Sequence, residues 1–241
     1  MTTSSLGNVL RTTSSAARCF PTLHLRSSAM QTLRDRVTLL CEQATEAIRR
    51  SLTALLEDDE ALAREVGAND AQINVAQFDI EEYAYSLLSE RKLAVSEVRR
   101  IVGMIVLTRV LEQVGDHAAN IAHFAVSMKR LEATVDMSSV FSLIAEMAST
   151  ATEITQQACN ALLQQDARRA EAAVRRDQEL MDTFDAINAV LIQPPEQSGI
   201  PPEHGQLLLR VAYNLRQIGM CAVIVCERAI FLATGELKDF H

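Results

Sequence analysis

Apolar side chains recur at three- and four-residue spacing early in the chain, at Leu33, Val37, Leu40, Ala44, Ile48, Leu52 and Leu55. That is one face of a 3.6-period helix. Continued along the sequence, the pattern predicts six long helices, over 31–57, 59–90, 96–130, 137–165, 167–192 and 204–234. Ser96 is the expected N-cap of the third helix and Gly235 the expected left-handed C-cap of the sixth. The one evident long loop is Gln193–His204 (QPPEQSGIPPEH), where proline and glycine end the fifth helix. The five prolines are Pro21, Pro194, Pro195, Pro201 and Pro202, so positions 22–193 contain none. A proline costs ~3 kcal/mol inside a helix, and a stretch this long without one suits a succession of helices.

The chain also repeats itself. Shifted by 107 positions, residues 44–70 fall on 151–177 without a gap. Ala44-Thr45-Glu46 meets Ala151-Thr152-Glu153, Ala54-Leu55-Leu56 meets Ala161-Leu162-Leu163, Asp59 meets Asp166, Ala63 meets Ala170 and Asp70 meets Asp177. At a shift of 104, Leu111-Glu-Gln-Val-Gly-Asp-His-Ala118 lies over Leu215-Arg-Gln-Ile-Gly-Met-Cys-Ala222. Two blocks in order at nearly one offset indicate duplication, the difference being absorbed by a shorter connection. The expected fold is all-α: two tandem three-helix bundles, 30–135 and 136–241, each antiparallel up-down-up, after a poorly ordered tail over 1–29.

Composition narrows what such a bundle does. The net charge is −8, and Arg11, Arg18 and Arg26 stand in the first 29 positions with no acid among them, so the body is more acidic still. An acidic body repels nucleic acid and suits a cation or a basic partner. The five cysteines (Cys19, Cys41, Cys159, Cys221, Cys226) are scattered without a CxxC pair and read as small buried hydrophobes in a reducing compartment. Apolar runs such as Ile101–Leu107 and Ile218–Cys226 fall far short of the ~20 residues of a bilayer span, so no transmembrane segment is expected. The Ser/Thr-rich, acid-free start has the composition of a transit peptide; the competing readings are a disordered tail or a true start at Met30.

Candidate chemistry lies on the third helix. At 100° per residue, Val98, Val102, Ile105, Arg109, Glu112, Asp116 and His123 fall near one stripe, with Glu112 and His123 only ~20° apart. Two acids and a histidine thus extend a stripe that is expected to begin as core. Buried carboxylates demand a partner or a metal, and an oxygen-rich set suits hard or borderline cations. The alternative is a solvated edge with Glu112 paired to Arg109. His117 points away from the stripe, and Asp70 could serve the dipole of helix two. No phosphate-cradling glycine loop, nucleophile elbow or zinc-protease motif is present.

The segment Leu111-Glu112-Gln113-Val114-Gly115-Asp116-His117-Ala118-Ala119-Asn120-Ile121-Ala122 resembles the motif of the PhoU family, Leu-Glu-Arg-Ile-Gly-Asp-His followed by Asn-Ile-Ala-Glu. Asp70-Ala-Gln-Ile-Asn74 resembles its helix-two motif, and Glu227 to Glu236 its closing segment; the resemblance spans about 30–237. It implies a cytoplasmic regulator and not an enzyme, one that restrains the phosphate-starvation response and modulates phosphate uptake. It implies a homodimer that contacts the ATPase subunit of a phosphate ABC transporter and a phosphate-sensing histidine kinase, reaching the membrane only through them. It further implies Fe or Zn as the metal, with Asp70, Glu112 and Asp116 as first-repeat ligands. This sequence departs from the family at Asn74 and His123, and more so where Arg216, Met220 and Cys221 replace Glu, Asp and His. Any metal is therefore expected in the first repeat alone. A carboxylate metal-binding or storage protein and a plain helical scaffold are the other readings.

Overall fold

The computed structural model describes residues 20–89, 93–131 and 136–240, with side chains from Ser28 onward. Among the described residues eight helices follow in order: α1 (Phe20–Leu56), α2 (Glu60–Leu88), α3 (Val95–Lys129), α4 (Ser138–Gln164), α5 (Ala167–Arg175), α6 (Asp177–Leu191), α7 (Pro195–Ser198) and α8 (Pro202–Thr234). Among the described residues there is no strand.

Local chemistry sets most of the boundaries, and it does so twice. Asp58 and Gln165 both take left-handed backbone, with φ of 54° and 55°. Each is followed by an aspartate N-cap: the Asp59 side chain accepts from the Leu62 amide and that of Asp166 from the Arg169 amide, both at 3.0 Å. Gly235 closes α8 in the left-handed region, at φ 79°, its amide donating to the Phe231 carbonyl at 2.9 Å. Proline opens α7 and α8 at the first helical position, where the missing N–H has no partner to lose.

Four details differ from the sequence reading. Helix α1 begins at Phe20 rather than 31; what is left of the expected tail, 1–19, lies outside the described residues. Helix α3 is capped at Ala94 and not at Ser96, because the Glu97 carboxylate reaches back to accept from the Ala94 amide at 2.8 Å. The expected fifth helix is two pieces, α5 and α6, separated at Arg176; the sequence there, Val-Arg-Arg-Asp-Gln, holds no proline or glycine to signal a break. The proline loop contains the short helix α7.

Helices α1, α2 and α3 form one bundle, and α4, α5–α6 and α8 the other. The bundles lie side by side, α1 against α4 and α3 against α8, so four helices make an inner layer with α2 and α5–α6 as flanks. One core runs through both, including Leu40, Ile48, Leu107 and Ile121 of the first repeat with Ile144, Ile154, Leu180 and Ile218 of the second. Helix α8 is long and apolar enough to cross a membrane by length and composition. Its apolar positions Leu208, Val211, Leu215, Ile218, Val225 and Ala229 are instead core residues of the bundle. Cys41, Cys159, Cys221 and Cys226 are free and buried, as expected. Cys41 meets Cys159 across the seam between α1 and α4, and that hydrogen bond, with burial, holds its pKa well above the usual thiol range. Burial alone pushes Cys221 up to about 11. Such thiols are poor nucleophiles.

Candidate functional site

Asp59 fixes the start of α2, and eleven residues on, Asp70 meets α3 beside Gly115. A Cβ on Gly115 would stand 3.0 Å from Ile73 Cδ1 and 3.3 Å from Asp70 Oδ1, so the absent side chain lets the two helices approach there. The second repeat builds the same contact. A Cβ on Gly219 would meet Leu180 Cδ2 at 2.4 Å and Asp177 Oδ1 at 3.2 Å. The offsets that align the sequences also align these contacts, since Asp70, Ile73 and Gly115 correspond to Asp177, Leu180 and Gly219.

Around the first-repeat contact the carboxylates of Asp70, Glu112 and Asp116 share one field. Burial first, then the Asp116 charge, holds Asp70 above the usual carboxylate range. Burial and Asp116 likewise raise Glu112, with Asp70 and Glu81 adding and Arg109 opposing. Asp70 Oδ1, Asn74 Oδ1, Gln77 Oε1 and Glu112 Oε2 are buried without a hydrogen-bond partner. Arg109 Nη1 does lie 3.1 Å from Glu112 Oε2, as the solvated-edge reading expected, but without hydrogen-bond geometry, so the contact is a Coulombic one from a largely exposed side chain. Orphaned buried oxygens are costly, and a cation is the usual remedy.

The donors are all oxygens, which suits a hard or borderline cation such as iron better than zinc, whose sites favour nitrogen and sulfur. Among the described residues no three His, Cys, Asp or Glu side chains meet as a metal-holding group. The three acids share a face and a field without forming a closed cage. His117 is no part of this face, as its place off the stripe implied: its Nδ1 lies 3.0 Å from Asn214 Oδ1 on α8, at the seam between the repeats. His123 is exposed and edges onto Phe124.

The stripe on α3 is not a continuation of the core. Val98 and Val102 are exposed, Arg109 and Asp116 likewise, and Glu112 half-buried. The core stripe is on the other side of the helix, at Leu107, Leu111, Val114, Ala118 and Ile121. Projection puts the two stripes about half a turn apart, and since both carry apolar residues only the packing of the neighbouring helices decides between them.

In the second repeat the face is neutralised from within. Arg216, at the position of Glu112, places Nη1 3.6 Å from Asp177 Oδ1, with both side chains about four-fifths buried. Arg176, at the position of Asn69, bridges Glu153 of α4 and Glu179 of α6. Met220 replaces Asp116, and Glu227 accepts from the Phe240 amide at 2.9 Å. Sequence reasoning missed the Asp177–Arg216 pair although both positions were aligned. Comparing the two offsets jointly, 107 for Asp177 and 104 for Arg216, would have found it.

The fold and the face define a class: duplicated all-α proteins whose two three-helix repeats share one core and carry a polar face where helix two meets helix three. The PhoU domain model matches residues 37–125 and again 144–229, together more than half of the chain. The chain belongs to the PhoU family. It is similar to the phosphate-specific transport system accessory protein PhoU homolog 1 of Thermotoga maritima, 22% identical over 209 residues, covering 86% of this chain and 89% of that one. It is 28% identical over 206 residues to the PhoU homolog of Caulobacter vibrioides, covering 85% and 87%. Crystal structures of PhoU from Pseudomonas aeruginosa (TM-score 0.81, 20% identity, 87% of this chain and 99% of that) and from Streptococcus pneumoniae (TM-score 0.75, 21% identity, 90% and 99%) share the fold.

Proposed function

We infer that this chain is a cytoplasmic accessory protein of phosphate transport that restrains phosphate uptake and the phosphate-starvation response through protein contacts. The observation that carries the reading is the PhoU match over both repeats, joined by relatives named as accessory proteins of phosphate-specific transport systems. A homodimer, the ATPase subunit of a phosphate ABC transporter and a phosphate-sensing histidine kinase are the partners the family resemblance implies. Deleting the gene should raise a phosphate-starvation reporter in phosphate-rich medium, and re-expression should restore repression. Unchanged output would count against the reading.

A second role, cation binding, is favoured by the unpartnered buried oxygens of the first repeat. Asp70, Glu112 and Asp116, with the amide oxygen of Asn74, would hold the ion. When bound, a divalent cation would supply positive charge between α2 and α3. Asp70 and Glu112 would then keep their ionised forms at lower pH, and Asp116 would attract instead of repel. Arg216 offers no lone pair and already faces Asp177, so the second repeat is left out. Metal counting on the protein, after loading with Fe(II), Mn(II) or Zn(II), tests this. Asp116→Ala should lower the stoichiometry and Glu227→Ala should not; the reverse outcome would reject the assignment.

A further inference from the structure

The two repeats also differ at the groove between their first two helices. In the second repeat the Arg176 guanidinium spans it, from Glu153 on one helix to Glu179 on the other. In the first repeat Asn69 stands at the corresponding place, and the groove between α1 and α2 is a cavity of about 310 Å³. Its floor is apolar, from Val66, Ile73 and Gly115, and Glu42, Glu46 and Asp70 line it with negative charge. Glu46 corresponds to Glu153, the carboxylate that receives Arg176. Two cations already stand at the groove: Arg50 is paired with Glu65 at 2.7 Å and Arg49 with Glu46 at 2.9 Å, which leaves Glu42 and Asp70 as the lining carboxylates outside those pairs. Asp70 Oδ1, beside the Gly115 floor, is buried without a hydrogen-bond partner. The cavity thus has an apolar bed for a methylene stem and carboxylates for the charged end, as a guanidinium side chain requires.

We propose that the α1–α2 groove of the first repeat receives an arginine side chain presented by a partner protein, filling the place that Arg176 fills from within in the second repeat. The inference rests on the reading that the protein acts through protein contacts, and it names the chemistry of one contact. Gln72 stands at the position of Glu179, so the fork would find its carboxylates elsewhere, on α1 at Glu42 and Glu46 and on α2 at Asp70. A planar guanidinium can engage two of them at once, which suits this place better than the single point charge of a lysine. The Asp70 carboxylate is shared with the α2–α3 face, so an arginine in the groove and a cation on that face would each relieve part of the same charge.

The test uses the full chain and a blocked amino acid, N-acetyl-arginine N-methylamide, followed by amide shifts in a two-dimensional NMR titration. Saturable shifts at Ala47, Ile73 and Gly115 are expected, with a Kd on the order of millimolar for one half-exposed guanidinium. The lysine analogue should bind more weakly and the norleucine analogue should not saturate. Asn69→Arg, which places a guanidinium at the position of Arg176, should weaken binding about tenfold by filling the groove. Asn69→Gln should leave it intact. Helicity by circular dichroism checks that both variants fold, which the half-buried, helix-compatible position favours. Absence of saturation, equal binding of the norleucine analogue, or undiminished affinity in Asn69→Arg would each overturn the proposal. Because the titration reads binding directly, it stands or falls separately from the phosphate-starvation reporter.

Discussion

The guanidinium of Arg216 stands 3.6 Å from the carboxylate of Asp177, in the place where the first repeat sets Glu112 near Asp70. The same place thus holds a repulsive pair in one repeat and an attractive pair in the other. Arg216→Glu should therefore recreate the first-repeat situation. It should destabilise the protein by about 1–3 kcal/mol in urea unfolding, below the cost of a fully buried pair because both groups keep some solvent. Added Mg²⁺ or Mn²⁺ at ten times its Kd should return about 1.4 kcal/mol in this variant. A variant as stable as the native protein would show that the pair contributes nothing.

The two glycines of the helix contacts should respond unequally to alanine. At Gly219 the new methyl meets Leu180, a fully buried side chain, at 2.4 Å, so overpacking of about 1–3 kcal/mol, less the ~1 kcal/mol gained in helix propensity, should leave Gly219→Ala destabilised by up to about 2 kcal/mol. At Gly115 the approach is 3.0 Å, to the tip of Ile73. There the ~1 kcal/mol gain in helix propensity offsets the strain, and Gly115→Ala should lie near zero. Thermal midpoints of the two variants decide.

Asp70 and Glu112 are held above their ordinary values of 3.8 and 4.5. The folded protein therefore binds more protons at these sites than the unfolded chain does. Their contribution to stability is present in acid and is lost as pH rises from those values through the raised ones. Asp116→Asn removes a cause common to both shifts. With a chelator present, the urea midpoint of the variant relative to wild type should be higher at pH 7 than at pH 4. A pH-independent difference would show that Asp116 does not act through these two groups.

The paired caps give a symmetric test of the duplication. Asp59→Ala and Asp166→Ala should each cost about 1 kcal/mol, since each side chain accepts the same N3 amide at 3.0 Å. Asn at either position should recover most of the loss. Chemical denaturation of the four variants measures it.

The helices and the duplication were legible in the sequence because both rest on local signals: the apolar spacing of α1, the proline-free span, the paired Asp59 and Asp166. The break at Arg176 was not, since no helix breaker marks it and the arginine's bond to Glu153 is tertiary. At the site, the sequence put Glu112 and Asp116 on one stripe but could not say which stripe faces the core. That depends on where α2 packs, and Val98 and Val102 prove exposed. Asp70 joined the two acids by family resemblance alone, since no spacing on α3 can point to a residue of α2. Asn69 carries no signal by itself and gains meaning only against Arg176.

The inner layer of α1, α3, α4 and α8 is common property of both halves, while α2 and α5–α6 each serve mainly one. A change on the inner seam is felt by two repeats at once. A change on an outward stripe or a flank is felt by one, so each half can be tried out alone while its twin keeps the molecule folded. The chain is in that sense its own control experiment, with one half holding its charges together by itself and the other still presenting them to the outside.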